Sequence, residues 1–284
     1  QLASSFFRRH DGEVPAFDRD TTIDSTGGGL ALRNTDSDRI RNLAFFESAS
    51  DEVFSHAVSG AFLQRFPAGT TLLMEGDPVD FLYVLLDGSV ELGAGWKSRD
   101  TTLAILRPVS TFILAAVVLD SDALMSAVTL DRSEILMIPG ESLRRAMQQD
   151  AAFGFAVSQE LSGCYRGLVR SIKNHKLRDS TERLANYLLT QRARQGNNDV
   201  ITLPHEKRVL ASLLGMTPEN LSRAFSKLSA QGVSVEGASV SFGKVQALER
   251  LARPSPLIDN YFLQDESQLG KAHTERQQGL LDAS

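Results

Sequence analysis

The most constraining feature of this sequence is a helix stop followed four residues later by a helix start, inside PHEKRVLASLLGMTPENLSRAFSKLSAQG. Val209, Leu210, Leu213 and Leu214 recur at helical spacing, so Glu206 to Leu214 predicts a helix with one apolar side. Gly215 ends it in a left-handed backbone conformation that glycine adopts at least cost. Met216 fills the corner. Thr217 then has the chemistry of an N-cap, Pro218 suits the first helical position, and Asn220 falls at N3. The second helix runs from Pro218 to about Ala230, with Leu221, Phe225 and Leu228 inward. Glu219, Ser222, Arg223, Ser226 and Lys227 face outward.

Beyond Gln231-Gly232, the alternating Val233-Ser234-Val235 and Ser239-Val240-Ser241 flank Glu236-Gly237 and predict a two-stranded wing. A helix, a tight turn, a second helix and a wing form the arrangement that lays the second helix in the DNA major groove. The outward residues suit that task. Arginine can donate to guanine O6 and N7, glutamate can accept from cytosine N4, and serine can do either. Lys227, Lys207 and Arg208 are placed to reach phosphates, which position without reading sequence. The alternative is a plain helical hairpin with a solvated face.

Net charge of −5 argues against a polyanion partner until its distribution is read. Residues 166–253 hold 15 Lys+Arg and 7 Asp+Glu, a local balance of +8, and the remainder carries −13. One third of the chain is basic, the signature of a polyanion-binding domain in an otherwise acidic protein.

Upstream, an unbroken helical stretch runs from Asp150 or Ala151 to about Lys176. About 26 residues at 1.5 Å each span about 39 Å. Val157, Leu161, Cys164, Leu168, Ser171 and His175 alternate at spacings of four and three, a coiled-coil-like seam. A second copy of the chain is the economical partner for it; packing within one chain is the alternative. The neighbouring stripe of Phe155, Ser158, Ser162, Tyr165, Val169 and Ile172 is the one expected to face the preceding domain. Cys164 on the seam is either a small buried hydrophobe or a thiol that oxidation links to its copy.

Residues 39–138 read mostly as short strands between Gly and Pro turns: Phe62–Phe66, Thr71–Met74, Phe81–Leu86, Val90–Leu92, Thr102–Leu106, Met125–Thr129 and Ile135–Ile138. Strands at that spacing imply a sandwich or barrel. A short helix follows over Glu141–Gln148, and another over Asp179–Arg192, with Leu184, Tyr187, Leu188 and Leu189 inward. Ile201 to Leu203 forms a short strand. The expected organisation is a flexible arm at 1–38, a sensor domain at 39–150, a long helix at 151–176, a DNA-binding domain at 177–256 and a tail at 257–284. The fold class is α+β.

Several functions are disfavoured. No apolar run reaches the 18 or so residues of a membrane span, and residues 1–10 lack a secretory core. One cysteine excludes an internal disulfide framework, which together with the rest favours a cytoplasmic protein. The histidines show no metal-ligand spacing, and no phosphate loop or nucleophile motif occurs, so no enzyme is expected.

GDPVDFLYVLLDGSVEL together with LLGMTPENLSRAFSKL resembles the Crp/Fnr family of bacterial regulators over roughly residues 39–256. The resemblance implies a cyclic-nucleotide-binding-like β-roll, a long dimerisation helix and a winged helix-turn-helix. It further implies a homodimer on double-stranded DNA, with RNA polymerase as a further partner. The family's base-reading positions fall on Glu219, Ser222 and Arg223, in a form similar to the Fnr side, whose half-site is TTGAT-like; the nearest branch is of FtrB type. Pro218 stands where the Crp side usually has Arg. The effector segment departs from the cyclic-nucleotide-binding pattern: Leu114 and Ala115 occupy the Gly-Glu positions, Met125 the Arg position, and only Ser126 remains. A buried anionic phosphate needs a cationic partner, so tight binding of cyclic AMP or cyclic GMP is not expected. The apolar run Phe112–Leu119 implies either a filled pocket or one taking an apolar ligand such as haem, with His56, Met74, Met125, His175 and Cys164 as candidate axial ligands. Two readings stay open beside DNA regulation by another signal: a haem- or redox-responsive sensor, and a ligand-binding module whose helix-turn-helix engages protein.

Overall fold

The computed structural model describes residues 40, 41, 43–97 and 99–259. The expected arm at 1–38 and residues 260–284 of the expected tail lie outside the described residues. The chain divides into two compact units that meet between Ser162 and Gly163, within the long helix.

The first unit opens with helix, where the sequence pattern implied strand. A 3-10 turn, Ala44–Phe46, leads to α1 (Asp51–Ala57). Ser50 caps α1 by accepting from Val53 N at 3.2 Å, and Asp51 and Glu52 sit in its first turn. Eight strands follow: β1 (Phe62–Phe66), β2 (Thr71–Leu73), β3 (Phe81–Asp87), β4 (Val90–Trp96), β5 (Arg99–Leu106), β6 (Ser110–Phe112), β7 (Ser126–Thr129) and β8 (Ser133–Pro139). They form two antiparallel four-stranded sheets, ordered β1-β8-β3-β6 and β2-β7-β4-β5. Between β6 and β7 lies a short helix, α2 (Leu114–Leu119); α3 (Gly140–Gln149) follows β8.

Strand geometry explains why β3 is apolar from Phe81 to Leu86 and β8 from Ile135 to Ile138. Successive side chains point to opposite faces, and here both faces are covered. Leu82, Val84 and Leu86, with Leu136 and Ile138, pack against Phe46, Phe54, Val117, Leu143 and Phe153 from the helical side. Tyr83 and Leu85, with Ile135 and Met137, point into the roll against Leu73, Val90, Leu92 and Phe112. Tyr83 stacks on Phe112 with ring centroids 5.1 Å apart. At the β3–β4 turn, Gly88 has a positive φ of 89°, and a Cβ there would lie 2.6 Å from Arg132 O.

The long helix, α4 (Ala151–Leu177), is started by Asp150, whose Oδ1 accepts from Ala152 N at 2.8 Å and Phe153 N at 3.0 Å. Phe153 and Val157 are fully buried in the first unit's own core, and Leu161 packs against it. This corrects the expected seam: Val157 is sealed within the protomer and cannot meet a partner. The stripe expected to face the β-domain is instead open, with Phe155 65%, Tyr165 68% and Ile172 46% exposed. The phase of the helix is set by Phe153, Val157 and Leu161 at intervals of four, which carries Phe155 and its row away from the core. Cys164 is exposed rather than a buried hydrophobe.

In the second unit, α5 (Ser180–Arg194) begins with a capping box in which Asp179 Oδ1 accepts from Glu182 N (2.8 Å) and Glu182 Oε2 from Asp179 N (3.0 Å). After β9 (Val200–Thr202) come α6 (Lys207–Leu213), α7 (Pro218–Ser229), β10 (Val233–Glu236), β11 (Ser239–Phe242) and α8 (Val245–Ala252). The wing is a three-stranded sheet ordered β10-β11-β9, where two strands were expected. The domain edge at 256 also moves, because Asp259 is buried within this unit.

Phe153 lies nearly parallel to Phe46, with centroids 5.6 Å apart, and is fully buried. Phe153→Ala is expected to lower unfolding free energy by about 3–5 kcal/mol, as urea denaturation would show.

Candidate nucleic-acid interface

The turn between α6 and α7 is built from local backbone bonds. Leu214 N donates to Leu210 O (3.0 Å), Gly215 N to Ser212 O (2.9 Å) and Met216 N to Ala211 O (2.9 Å). These satisfy carbonyls that the end of α6 would leave open. Gly215 has a φ of 61°, and a Cβ on it would come within 2.7 Å of His175 Cδ2. The conformation favours glycine, and a side chain there would in addition have to displace the exposed His175 ring. His175, placed by its spacing on the intermolecular seam, therefore lies with its ring against its own chain's turn, and its Nδ1 is 2.9 Å from Ser171 O.

Thr217 is extended (φ −76°, ψ 159°) and its Oγ1 accepts from Asn220 N at 3.3 Å, with Pro218 at the first helical position. Leu221, Ala224 and Leu228 are buried against Leu184, Leu188, Leu210 and Val240, with half-buried Phe225 beside them. Since that face of α7 is sealed, the opposite one is left in water. Glu219, Ser222, Arg223, Ser226 and Lys227 are all exposed, as are Lys207 and Arg208 on α6. The structure thus brings Thr217, Glu219, Ser222, Arg223 and Lys227 together on one helix.

The electrostatics of this face are partly organised already. The carboxyl of Glu219 is held below its ordinary pKa, chiefly by a hydrogen bond from the Thr217 hydroxyl, then by its own backbone amide, with attraction from Arg223 adding to them. It is an acceptor at neutral pH. Ser226 Oγ donates to Ser222 O at 3.0 Å, so its hydroxyl proton is engaged along the helix. Behind the turn, Arg183 Nε donates to Leu214 O at 2.9 Å and its Nη1 to Arg178 O at 2.7 Å. Burial lowers the Arg183 pKa from its ordinary value, opposed by Asp179. Sequence reasoning passed over Arg183, and nothing in its local pattern marks it.

In the first unit, the effector segment is apolar in fact as well as in sequence. Leu114 starts α2 and is buried with Val117 in the core; Ala115 is exposed, and Met125 is half-buried against the roll interior. Ser126 is buried and its Oγ accepts from Glu75 N at 2.9 Å. Burial, followed by Asp80 and Asp77, pushes the Tyr83 phenol up to about 12, so it stays neutral. The candidate haem ligands do not share an element apart from His175 and Cys164: His56 is on α1, Met74 follows β2, and Met125 precedes β7. Among the described residues no group of three or more His, Cys, Asp or Glu is placed to hold a metal.

Comparison with known proteins places both units. A model of the cyclic nucleotide-binding domain matches residues 63–150, and one of the Crp-like helix-turn-helix domain matches 182–251. The chain belongs to the Crp/Fnr family of transcription regulators. Within that family it is 25% identical over 215 residues to the global nitrogen regulator of Nostoc sp., covering 72% of this chain and 96% of that protein. It is 24% identical over 194 residues to a CRP-like cAMP-activated global transcriptional regulator of Mycobacterium tuberculosis, covering 66% and 87%. Among solved structures, FixK2 from Bradyrhizobium japonicum superposes with a TM-score of 0.60 at 21% identity, over 69% of this chain and 98% of that one. The global regulator CLP of Xanthomonas campestris gives 0.59 at 21% identity, over 68% and 99%. As in that family, a β-roll, a long helix and a helix-turn-helix follow in order. No helix among the described residues is long and apolar enough to cross a membrane.

Thr217→Ala removes both the cap of α7 and the hydrogen bond to Glu219. It is expected to cost about 1 kcal/mol of stability, measured by thermal unfolding.

Proposed function

We propose that this Crp/Fnr-type regulator works as a homodimer reading two inverted, TTGAT-like half-sites through Glu219, Ser222 and Arg223, with Thr217, Lys207, Arg208 and Lys227 on the backbone. The observation that carries the proposal is the exposed outer face of α7, held outward by burial of Leu221, Ala224 and Leu228. The centres of the two half-sites lie about 34 Å apart, one turn of duplex.

Dimerisation is supported by Tyr165, Leu168, Val169 and Ile172, large apolar side chains exposed along the second half of α4. A contiguous apolar surface of that kind marks an interaction site. Leu168 remains from the seam read in sequence. The row beside it takes the place of Val157.

The signal in this proposal is not a cyclic mononucleotide. The M. tuberculosis relative is described as cAMP-activated, but here Leu114, Ala115 and half-buried Met125 occupy the positions that would meet ribose and phosphate. An anion enclosed there would lose its hydration without gaining a cationic partner. Phe112, Tyr83, Leu85 and Leu92 already fill the interior of the roll.

Calorimetric titration with cyclic AMP or cyclic GMP is expected to give no binding in the micromolar range; micromolar affinity would overturn this part of the proposal. Arg223→Ala is expected to weaken binding to the preferred duplex by about 1–3 kcal/mol and to relax preference at one base pair. Equal weakening on random-sequence duplex, in a fluorescence anisotropy titration, would remove Arg223 from base reading.

A further inference from the structure

We propose that the segment Arg253–Asp259 is a clasp on the joint between α4 and α5, and that Arg178 and Asp259 are positioning residues that aim α7. The inference adds to the DNA-binding reading and rests on it only for its affinity readout.

Arg178 is the first of the two residues between the helices, followed by Asp179, the N-cap of α5. Its guanidinium meets Asp259 through two parallel bonds, Nη1 to Oδ1 at 2.6 Å and Nη2 to Oδ2 at 2.7 Å. Both side chains are only 6% exposed. The pair is tied on every side. Arg178 also donates to Asn174 Oδ1 (3.2 Å) on α4 and to Arg253 O (3.3 Å). Asp259 Oδ2 accepts from Ser255 N (2.7 Å), and Lys173 Nζ donates to Leu257 O (3.2 Å). Asn186 on α5 holds Ala252 O at 2.6 Å, just before the segment turns back at Arg253 in a left-handed conformation.

The clasp reaches the interface through bonded atoms. The carbonyl of Arg178 accepts from Arg183, and the same guanidinium donates to Leu214 O, the residue before Gly215. A run of hydrogen bonds therefore connects Asp259 to the turn from which α7 starts. Both Arg178 and Asp259 lie outside the span 182–251 matched by the helix-turn-helix model. A buried ion pair adds little stability over an apolar pair of the same size; what its planar, bidentate geometry adds is one defined arrangement.

The test uses the full chain with Cys164→Ser, and nitroxide labels on Arg166→Cys and Ala230→Cys, both exposed positions. Labelled chains are diluted in unlabelled protein, so that only distances within one chain are read by pulsed electron paramagnetic resonance. A single narrow distance distribution is expected. Asp259→Asn is expected to broaden it well below the unfolding temperature, and to lower affinity for the preferred duplex by about tenfold, the competent orientation being only fractionally populated. Non-specific binding should be unchanged. Because Asp259→Asn strands a buried cation, the double variant Arg178→Gln with Asp259→Asn, which has no charge to strand, is measured beside it and should broaden likewise. An unchanged narrow distribution in the double variant overturns the clasp. Failure of the unsubstituted chain to bind any duplex would count against the DNA-binding reading alone, since the distance readout needs no DNA.

Discussion

The left-handed bend at Gly215 is the constraint on which the DNA-binding unit depends. It allows α6 and α7 to share one core while pointing in different directions, and its positive φ of 61° is a conformation that favours glycine. From that bend the rest follows in order. Thr217 satisfies the first amides of α7, Pro218 presets its first turn, and Leu221, Ala224 and Leu228 sink into the core of α5 and the wing. The opposite face then has nowhere to go but water, and it carries Glu219, Ser222 and Arg223. Exposure of the polar face is a consequence of packing the apolar one.

The same logic, applied to the β-roll, gives the opposite result. In that domain β3 and β8 are covered on both faces, and the interior is closed by aromatic and aliphatic side chains. The segment expected to meet a nucleotide is largely apolar: Leu114 is buried in the core, Ala115 is exposed and Met125 is half-buried. Ser126 is buried, and its Oγ accepts from the Glu75 amide at 2.9 Å. On the proposed reading the roll keeps the architecture of a cyclic nucleotide-binding domain without a cation to compensate a phosphate. Its connection to the long helix is direct: Phe153 and Val157 belong to its core, and Thr111 donates to Glu160 on α4 at 2.6 Å.

Much of this was legible in the sequence because the signals were local. Thr217-Pro218 after Gly215, Asp179 three residues before Glu182, and the Gly turns of the β-roll each encode a backbone conformation without reference to distant residues. What escaped needed tertiary context. Leu114–Leu119 is apolar on every side, so no period separates helix from strand. In α4 two apolar stripes compete, and only the packing of Phe153 decides which one faces the roll. Two omissions did carry a readable signal. Ser50-Asp51-Glu52 is an N-terminal helix start, and Val245, Leu248 and Ala252 recur at helical spacing in α8. The contact of Asp259 with Arg178 joins residues 81 apart in sequence, and no local pattern announces it.

The proposal that this outer face reads base edges in two symmetric copies is tested most directly by selecting bound duplexes from a random pool and mapping protection on the winners. The account predicts an enriched inverted repeat, with TTGAT-like halves protected on one side of the helix about one turn apart. Recovery of no shared sequence, or of a single unrepeated site protected by one chain, would contradict it.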